Sequence, residues 1–168
     1  KADQLLDFIN QEKEMLTTSL ATADDTPNIY LAGNSSLLST AGPAMYQSGI
    51  IELAGGKNVA SDISDTYWAE ISYEQLLSWD PDYIILASDA EYTVDDVLSD
   101  PNLKNCTAAK NNHVYAIPGD IEALDSPVPA SILASIWLAG ILHPDQVSTD
   151  TYTKEMNSFY ETFYGIKK

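Results

Sequence analysis

The pattern of apolar and polar positions predicts an α/β chain, and it is clearest between residues 72 and 88. Ser72 can cap a helix, because its hydroxyl can accept a hydrogen bond from a first-turn N–H, and Glu74 suits the positive end of that helix. Asp80 precedes a proline and is therefore steered out of the helical conformation, which ends the helix. The apolar run at residues 83–87 is short and rich in β-branched side chains. It predicts a strand that is buried on both faces.

The same pattern predicts three further strands and five further helices. The strands are expected at residues 28–32, 57–60 and 113–117, and the helices at residues 1–22, 43–54, 94–98, 130–142 and 151–164. Residues 39–42 are predicted to lead into the helix that starts at Pro43, and residues 62–70 to form a polar loop. Because strands alternate with helices, the predicted fold is a three-layer, Rossmann-like α/β lobe with a mostly parallel central sheet.

The composition narrows the possible functions. The 168-residue chain has 25 acidic residues, 8 lysines, no arginine and a net charge of −17. This charge argues against nucleic-acid binding, which needs cations that face phosphates. The single cysteine, Cys106, excludes an internal disulfide, and neither His113 nor His143 has the spacing of a metal-ligand motif. No P-loop, dinucleotide or nucleophile-elbow motif occurs, so we predict no metal site, no cofactor and no enzyme.

The loops that follow the predicted strands form the candidate site, because ligands of open α/β sheets bind at the carboxyl ends of the strands. These loops offer hydroxyl and amide groups, aromatic rings that can stack on a ligand, and acidic side chains. The candidates are Asn34, Ser35, Ser36, Tyr46, Tyr67, Trp68, Glu91, Tyr92, Glu122 and Asp125. Each has a structural alternative: a turn that starts a helix, a core position for Tyr46, or a solvated or capping role for the acids. Tyr67 and Trp68 are adjacent, so we expect one of them to be exposed at the site.

Three motifs occur in order along the chain: ELAGGKNVA at residues 52–60, SYEQLLSWDPDYII at residues 72–85, and LKNCTAAKNNHVYAIPGD at residues 103–120. Together they resemble the signature segments of periplasmic-binding-protein-like receptors of the iron–siderophore, haem and cobalamin class. Receptors of this family have two α/β lobes joined by one long, rigid helix, and the ligand lies in the cleft between the lobes. The three motifs belong to the C-terminal lobe, and their order makes the resemblance specific.

The resemblance implies that residues 1–22 are the C-terminal part of the interlobe helix and that residues 23–168 are the C-terminal lobe. We therefore expect half of the substrate-binding component of an ABC importer, which captures a metal chelate and delivers it to a membrane permease without catalysis. The same resemblance implies an extracytoplasmic monomer, either periplasmic or anchored to the membrane as a lipoprotein. In the family, a protruding glutamate of each lobe docks onto permease arginines, and Glu74 occupies that position. The alternative is a glutamate that only stabilises its helix dipole.

One departure from the family pattern lies in the third loop, where Leu124 replaces the aromatic residue that near relatives often carry before the aspartate. A phenolate of Tyr67 or Tyr92 is a hard ligand that could bind ferric iron directly. Three alternatives stay open. The first is an oxyanion receptor of the molybdate type with the same fold. The second is a domain of a nitrogenase-like enzyme subunit, which would need more cluster ligands than Cys106. The third is a free-standing α/β interaction domain.

Overall fold

The computed structural model describes residues 1–63 and 67–167. Within these residues, the strands are β1 (Asn28–Ala32), β2 (Ser39–Ala41), β3 (Lys57–Asn58), β4 (Trp68–Glu70), β5 (Tyr83–Leu86) and β6 (Val114–Ala116). The helices are α1 (Ala2–Leu20), α2 (Tyr46–Leu53), α3 (Tyr73–Trp79), α4 (Val94–Leu98), α5 (Thr107–Lys110), α6 (Ile132–Leu142) and α7 (Thr149–Tyr164). None of these helices combines the length and the apolar content that a membrane span requires.

The sheet has the order β4-β2-β1-β5-β6, and β3 pairs with the first residues of β1. The pairs β1–β5, β5–β6 and β1–β3 are parallel, which confirms the predicted mostly parallel sheet. Register is set by partners such as Leu31 with Ile85 and Ile85 with Tyr115. Because these strands run in one direction, their carboxyl ends meet at a single edge of the sheet.

Two predictions about the edge of the sheet are wrong. Residues 39–41 form β2 instead of a segment that only leads into a helix, and residues 68–70 form β4 instead of a loop. These strands pair antiparallel with each other, and Thr40 of β2 pairs with Ala32 of β1. The helix predicted from Pro43 begins at Tyr46. Strands of three residues are too short to show an alternating pattern, so only their long-range partners specify them.

The central strands separate two apolar cores. On β1, Ile29 and Leu31 join the core that contains α1, α2, α6 and α7, whereas Tyr30 joins the core beside α3, α4 and α5. Ile84 and Ile85 of β5 divide between the two cores in the same way. Successive side chains of a strand point to opposite faces, so each face of the sheet carries one helical layer. The predicted three-layer arrangement is therefore confirmed.

The LAGGKNVA motif has a structural explanation centred on Asn58, which is buried. The Asn58 side-chain amide donates to the carbonyl oxygen of Ala41 at 2.9 Å and to the hydroxyl of Ser48 at 2.8 Å. Its oxygen accepts from the backbone N–H of Ala60 at 2.9 Å. The Asn58 side-chain amide therefore joins β2, α2 and the segment after β3. All three hydrogen bonds are made to groups of the fold itself. Gly55 has a φ of 82°, a left-handed conformation that ends α2 at little cost for glycine.

Candidate functional site

The loops that follow β1, β5 and β6 lie side by side at the carboxyl edge of the sheet, at residues 33–38, 87–93 and 117–128. Hydrogen bonds between these loops hold them together. The N–H of Glu91 donates to the carbonyl oxygen of Asn34 at 2.8 Å, and Ser88 donates to the carboxylate of Asp125. We call this surface, formed by the three loops and by β4, the wall.

The loop after β1 forms a polar hollow against the indole of Trp68. A hollow of about 230 Å³ is lined by Asn34, Ser35, Ser39 and Trp68. A Cβ atom at Gly33 would lie 3.0 Å from Cζ3 of Trp68, so the ring covers the backbone of the loop. The exposed side chains of Asn34 and Ser35 supply amide and hydroxyl groups beside this ring. A flat ring next to hydrogen-bonding groups can hold a ligand that has both apolar and polar parts.

The two adjacent aromatic residues are both exposed, whereas we expected exposure for one of them. Trp68 lies in β4, and Tyr67 precedes that strand. The backbone oxygen of Tyr67 accepts from Gly42 at 2.8 Å, so its main chain is fixed while its ring projects outward. Ser36 has a local role as well, because its hydroxyl accepts from the N–H of Leu38 at 3.1 Å.

The loop after β5 carries Tyr92, whose hydroxyl serves the fold. The phenol donates to the carbonyl oxygen of Gly33 at 2.6 Å and so links the loops after β1 and β5. Burial raises the pKa of Tyr92, which disfavours a phenolate. Direct binding of ferric iron by this residue would have to overcome both effects. Glu91, by contrast, is exposed on the same loop.

Asp125 is buried in the loop after β6 and connects this loop to its neighbours by hydrogen bonds. Its side chain is only 5% exposed, and its two carboxylate oxygens accept hydrogen bonds from the backbone N–H and the hydroxyl of Ser88. Its backbone oxygen accepts from Nε2 of Gln47 at 3.3 Å, and the same Nε2 donates to the hydroxyl of Tyr46 at 3.0 Å. Neither Ser88 nor Gln47 is among the candidate site residues, although Ser88 opens the loop that is predicted to line the site. A polar residue directly after a buried apolar strand was the available signal for Ser88.

The other acid of this loop, Glu122, contacts a helix. Its carboxylate accepts from the hydroxyl of Tyr160 on α7 at 3.1 Å. Leu124, which departs from the family pattern, is buried in the core with 3% exposure. The position before Asp125 therefore supports packing in this chain. The contacts of Glu122 and Asp125 belong to the fold, and their roles toward a ligand stay predictions.

Glu74 is exposed in the first turn of α3, and Ser72 caps this helix by accepting from the N–H of Gln75 at 3.2 Å. Hydrogen bonds from its own backbone and from Ser72 lower the pKa of Glu74, so it is negatively charged at neutral pH. β4 runs antiparallel to β2, which runs antiparallel to β1, so β4 also ends at the carboxyl edge. The start of α3 and its glutamate therefore lie toward the same edge as the wall.

The histidines support the fold. His113 stacks on Tyr83 with ring centroids 4.5 Å apart, and a ring nitrogen lies 3.2 Å from the carbonyl oxygen of Asp82. His143 is buried, 3.2 Å from the carbonyl oxygen of Gly55. In the described part of the chain, no group of three or more histidine, cysteine, aspartate or glutamate side chains is arranged to hold a metal ion.

An open α/β sheet with polar and aromatic groups at its carboxyl edge has the architecture of a ligand-binding lobe. The chain belongs to the periplasmic binding protein family, whose model matches residues 1–121. This result confirms the resemblance inferred from the three ordered motifs.

Three relatives are informative. The molybdate-binding protein MolA of Haemophilus influenzae is 28% identical over 167 residues, which are 98% of this chain and 47% of MolA. A structure of MolA bound to molybdate has a TM-score of 0.85, with 27% identity over 99% of this chain and 51% of that one. A periplasmic solute-binding protein of Veillonella parvula has a TM-score of 0.87, with 26% identity over 99% of this chain and 52% of that one. A cobalamin-binding protein of Halobacterium salinarum is 28% identical over 109 residues, 62% of this chain and 29% of its own length.

MolA aligns with nearly the whole of this chain, and the chain therefore spans about half the length of MolA.

Proposed function

We propose that this chain is the C-terminal lobe of the solute receptor of an ABC importer, with α1 as part of the helix that joins two lobes. In this proposal the protein captures its ligand without catalysis, and the wall forms one side of the ligand cleft. The observation that carries the proposal is the hollow at the carboxyl edge, where Trp68 lies beside Asn34 and Ser35. Membership of the periplasmic binding protein family supports it, and favours a receptor over an enzyme subunit.

The first candidate ligand is a metal chelate of the iron–siderophore, haem or corrinoid type. Such a ligand offers a broad, partly apolar surface that suits an exposed indole with nearby hydroxyl and amide groups. The loops of the wall contain no lysine or arginine, and they carry several carboxylates. An uncharged or cationic ligand surface therefore suits this lobe better than a dense negative charge.

The second candidate ligand is an oxyanion of the molybdate type. The similarity to MolA over nearly the whole chain favours it. Neutral hydroxyl and amide groups can hold such an ion by hydrogen bonds, and any cation would then come from outside the described wall.

The proposed partners and location follow from the receptor function. We propose an extracytoplasmic, monomeric receptor, periplasmic or lipid-anchored, that delivers its ligand to a membrane permease. The charged and exposed Glu74 would dock onto arginines of the permease, because carboxylate–arginine pairs combine charge with a specific geometry.

A binding panel tests this proposal. The full-length natural protein is heated with haemin, cyanocobalamin, ferrichrome or sodium molybdate, since a ligand present at 100 times its Kd stabilises the fold by about 2.7 kcal/mol. We expect one of the four to raise the melting temperature, and Asn34→Ala to reduce that rise. Asn111→Ala, at the opposite edge of the sheet, is the control and should leave the rise unchanged. No rise with any of the four would count against the proposal.

A further inference from the structure

Four residues form a continuous chain of hydrogen bonds that leads from the wall to the start of α2. Ser88 donates to the carboxylate of Asp125, the backbone oxygen of Asp125 accepts from Nε2 of Gln47, and this nitrogen also donates to the hydroxyl of Tyr46. Gln47 is 4% exposed and Asp125 is 5% exposed, whereas Tyr46 is 37% exposed. The chain therefore runs from a buried carboxylate outward to one accessible phenol.

The direction of each hydrogen bond is fixed by chemistry. A backbone carbonyl can only accept, so Gln47 must present its NH₂ group, and not its oxygen, to Asp125. The second hydrogen of that NH₂ group is then directed to the phenol oxygen of Tyr46. Among the described residues, Oε1 of Gln47 has no hydrogen-bond partner, and turning the amide over would set this oxygen against the carbonyl of Asp125. The orientation of the amide is therefore imposed by Asp125.

This arrangement leaves the phenolic hydrogen of Tyr46 available. A tyrosine hydroxyl has one hydrogen to donate, and both Gln47 and Ser126 act as donors to its oxygen. Tyr46 also borders an open groove of about 290 Å³ between α1, α2 and the start of α6. Burial, together with the charge of Asp125, raises the pKa of Tyr46 to about 12, although a hydrogen bond from Ser126 acts in the opposite sense. The phenol therefore keeps its hydrogen at neutral pH.

We propose that Tyr46 donates this hydrogen to an oxygen acceptor on the bound solute, and that Gln47 and Asp125 position it for that purpose. The inference rests on the proposed receptor function and adds a specificity element to it. It selects solutes that present a carboxylate, carbonyl, hydroxamate or oxyanion oxygen at the start of α2. A solute that presents only hydrogen-bond donors there would face two opposed donors and bind weakly.

The test removes the hydroxyl and keeps the ring. Tyr46→Phe is introduced into the full-length natural protein, and affinities for haemin, cyanocobalamin, ferrichrome and sodium molybdate are measured by titration calorimetry. We expect roughly a 10-fold loss for the probe that the unmodified protein binds, the effect of one lost hydrogen bond. Tyr83→Phe is the matched control, because it removes a phenol at the opposite edge of the sheet, and its affinity should be unchanged.

A second variant tests the positioning role of Gln47. Gln47→Leu keeps a similar volume and removes the amide, so it should weaken binding by roughly 3-fold when Tyr46 is present. In combination with Tyr46→Phe it should add nothing, because the hydrogen that it orients is already gone. A purely structural role would instead give the same loss in both backgrounds.

The outcomes separate the two proposals. Losses confined to Tyr46→Phe and Gln47→Leu, and not additive, support the inference. Unchanged affinity of Tyr46→Phe for a probe that the unmodified protein binds overturns the inference and leaves the receptor function standing. Failure of the unmodified protein to bind any of the four probes overturns both.

Discussion

Glu12 gives the most direct test of the packing between α1 and the rest of the lobe. It is buried on α1 with 8% exposure, although it carries a carboxylate. Burial, followed by the negative charge of Glu155, raises the pKa of Glu12 from its ordinary 4.5 to about 7, while Lys154 acts in the opposite sense. Because the folded pKa lies above the unfolded one, the stability that protonated Glu12 contributes is complete below pH 4.5. It is lost as the pH rises through about 7.

The magnitude follows from this rise. Each unit of pKa shift corresponds to about 1.36 kcal/mol, so the rise in the pKa of Glu12 from 4.5 to about 7 corresponds to at most about 3.4 kcal/mol. Screening by solvent at the edge of the α1–α7 contact reduces this to about 1–2 kcal/mol. Glu12→Gln removes the charge, so it should stabilise the protein at pH 8 by about this amount. For a domain of this size the gain corresponds to a rise of about 2–8 °C in melting temperature.

Thermal unfolding at pH 5 and pH 8 measures the effect. At pH 5 the folded protein holds the proton to a large extent, so the gain from Glu12→Gln should fall to about a quarter to a half of its value at pH 8. Glu14→Gln is the matched control, because Glu14 is exposed on the same helix. It should leave the melting temperature nearly unchanged at both values. An equal gain from Glu12→Gln at both pH values would refute the argument.

Three further predictions concern the core, the wall and the proposed docking residue. Gly56→Ala places a Cβ atom 2.8 Å from Cγ1 of Ile29, so the free energy of unfolding in urea should fall by about 1–3 kcal/mol. A free energy equal to that of the unmodified protein would show that the packing is looser than described. Ser88→Ala deprives the buried Asp125 carboxylate of a donor, and the same measurement should show a loss of about 1–3 kcal/mol, with no loss arguing that this bond is absent in solution. Glu74→Ala in the full-length natural protein should impair solute uptake by cells and leave solute affinity intact, and normal uptake would remove the proposed docking role.

The central elements of the fold could be predicted because local signals and burial agree. The run at residues 83–87 and the Ser72 cap lead to β5 and α3 almost at the observed bounds. β2 and β4 could not be predicted, since each is only three residues long. Thr40 and Ala69 meet across the sheet, and no local pattern specifies such a pair.

The position of the candidate site could be predicted from the sequence, but the hydrogen-bond partners of its side chains could not. Strand order alone indicates which loops share an edge, and the wall follows from it. The sequence does not indicate which group donates to the Asp125 carboxylate, and in the fold that group is Ser88. Gln47 looks like an ordinary polar residue of a helix until its contacts with Tyr46 and Asp125 are known.

The proposed capture of a small solute by this wall can be tested through the solute that accompanies the natural protein. The full-length protein is purified from its own host without denaturation, and its absorbance spectrum and native mass are recorded. We expect an added mass in the native protein that disappears on denaturation, with visible colour if the solute is a haem or a corrinoid. A solute-free native mass that stays unchanged after incubation with haemin, cyanocobalamin, ferrichrome and molybdate would contradict it.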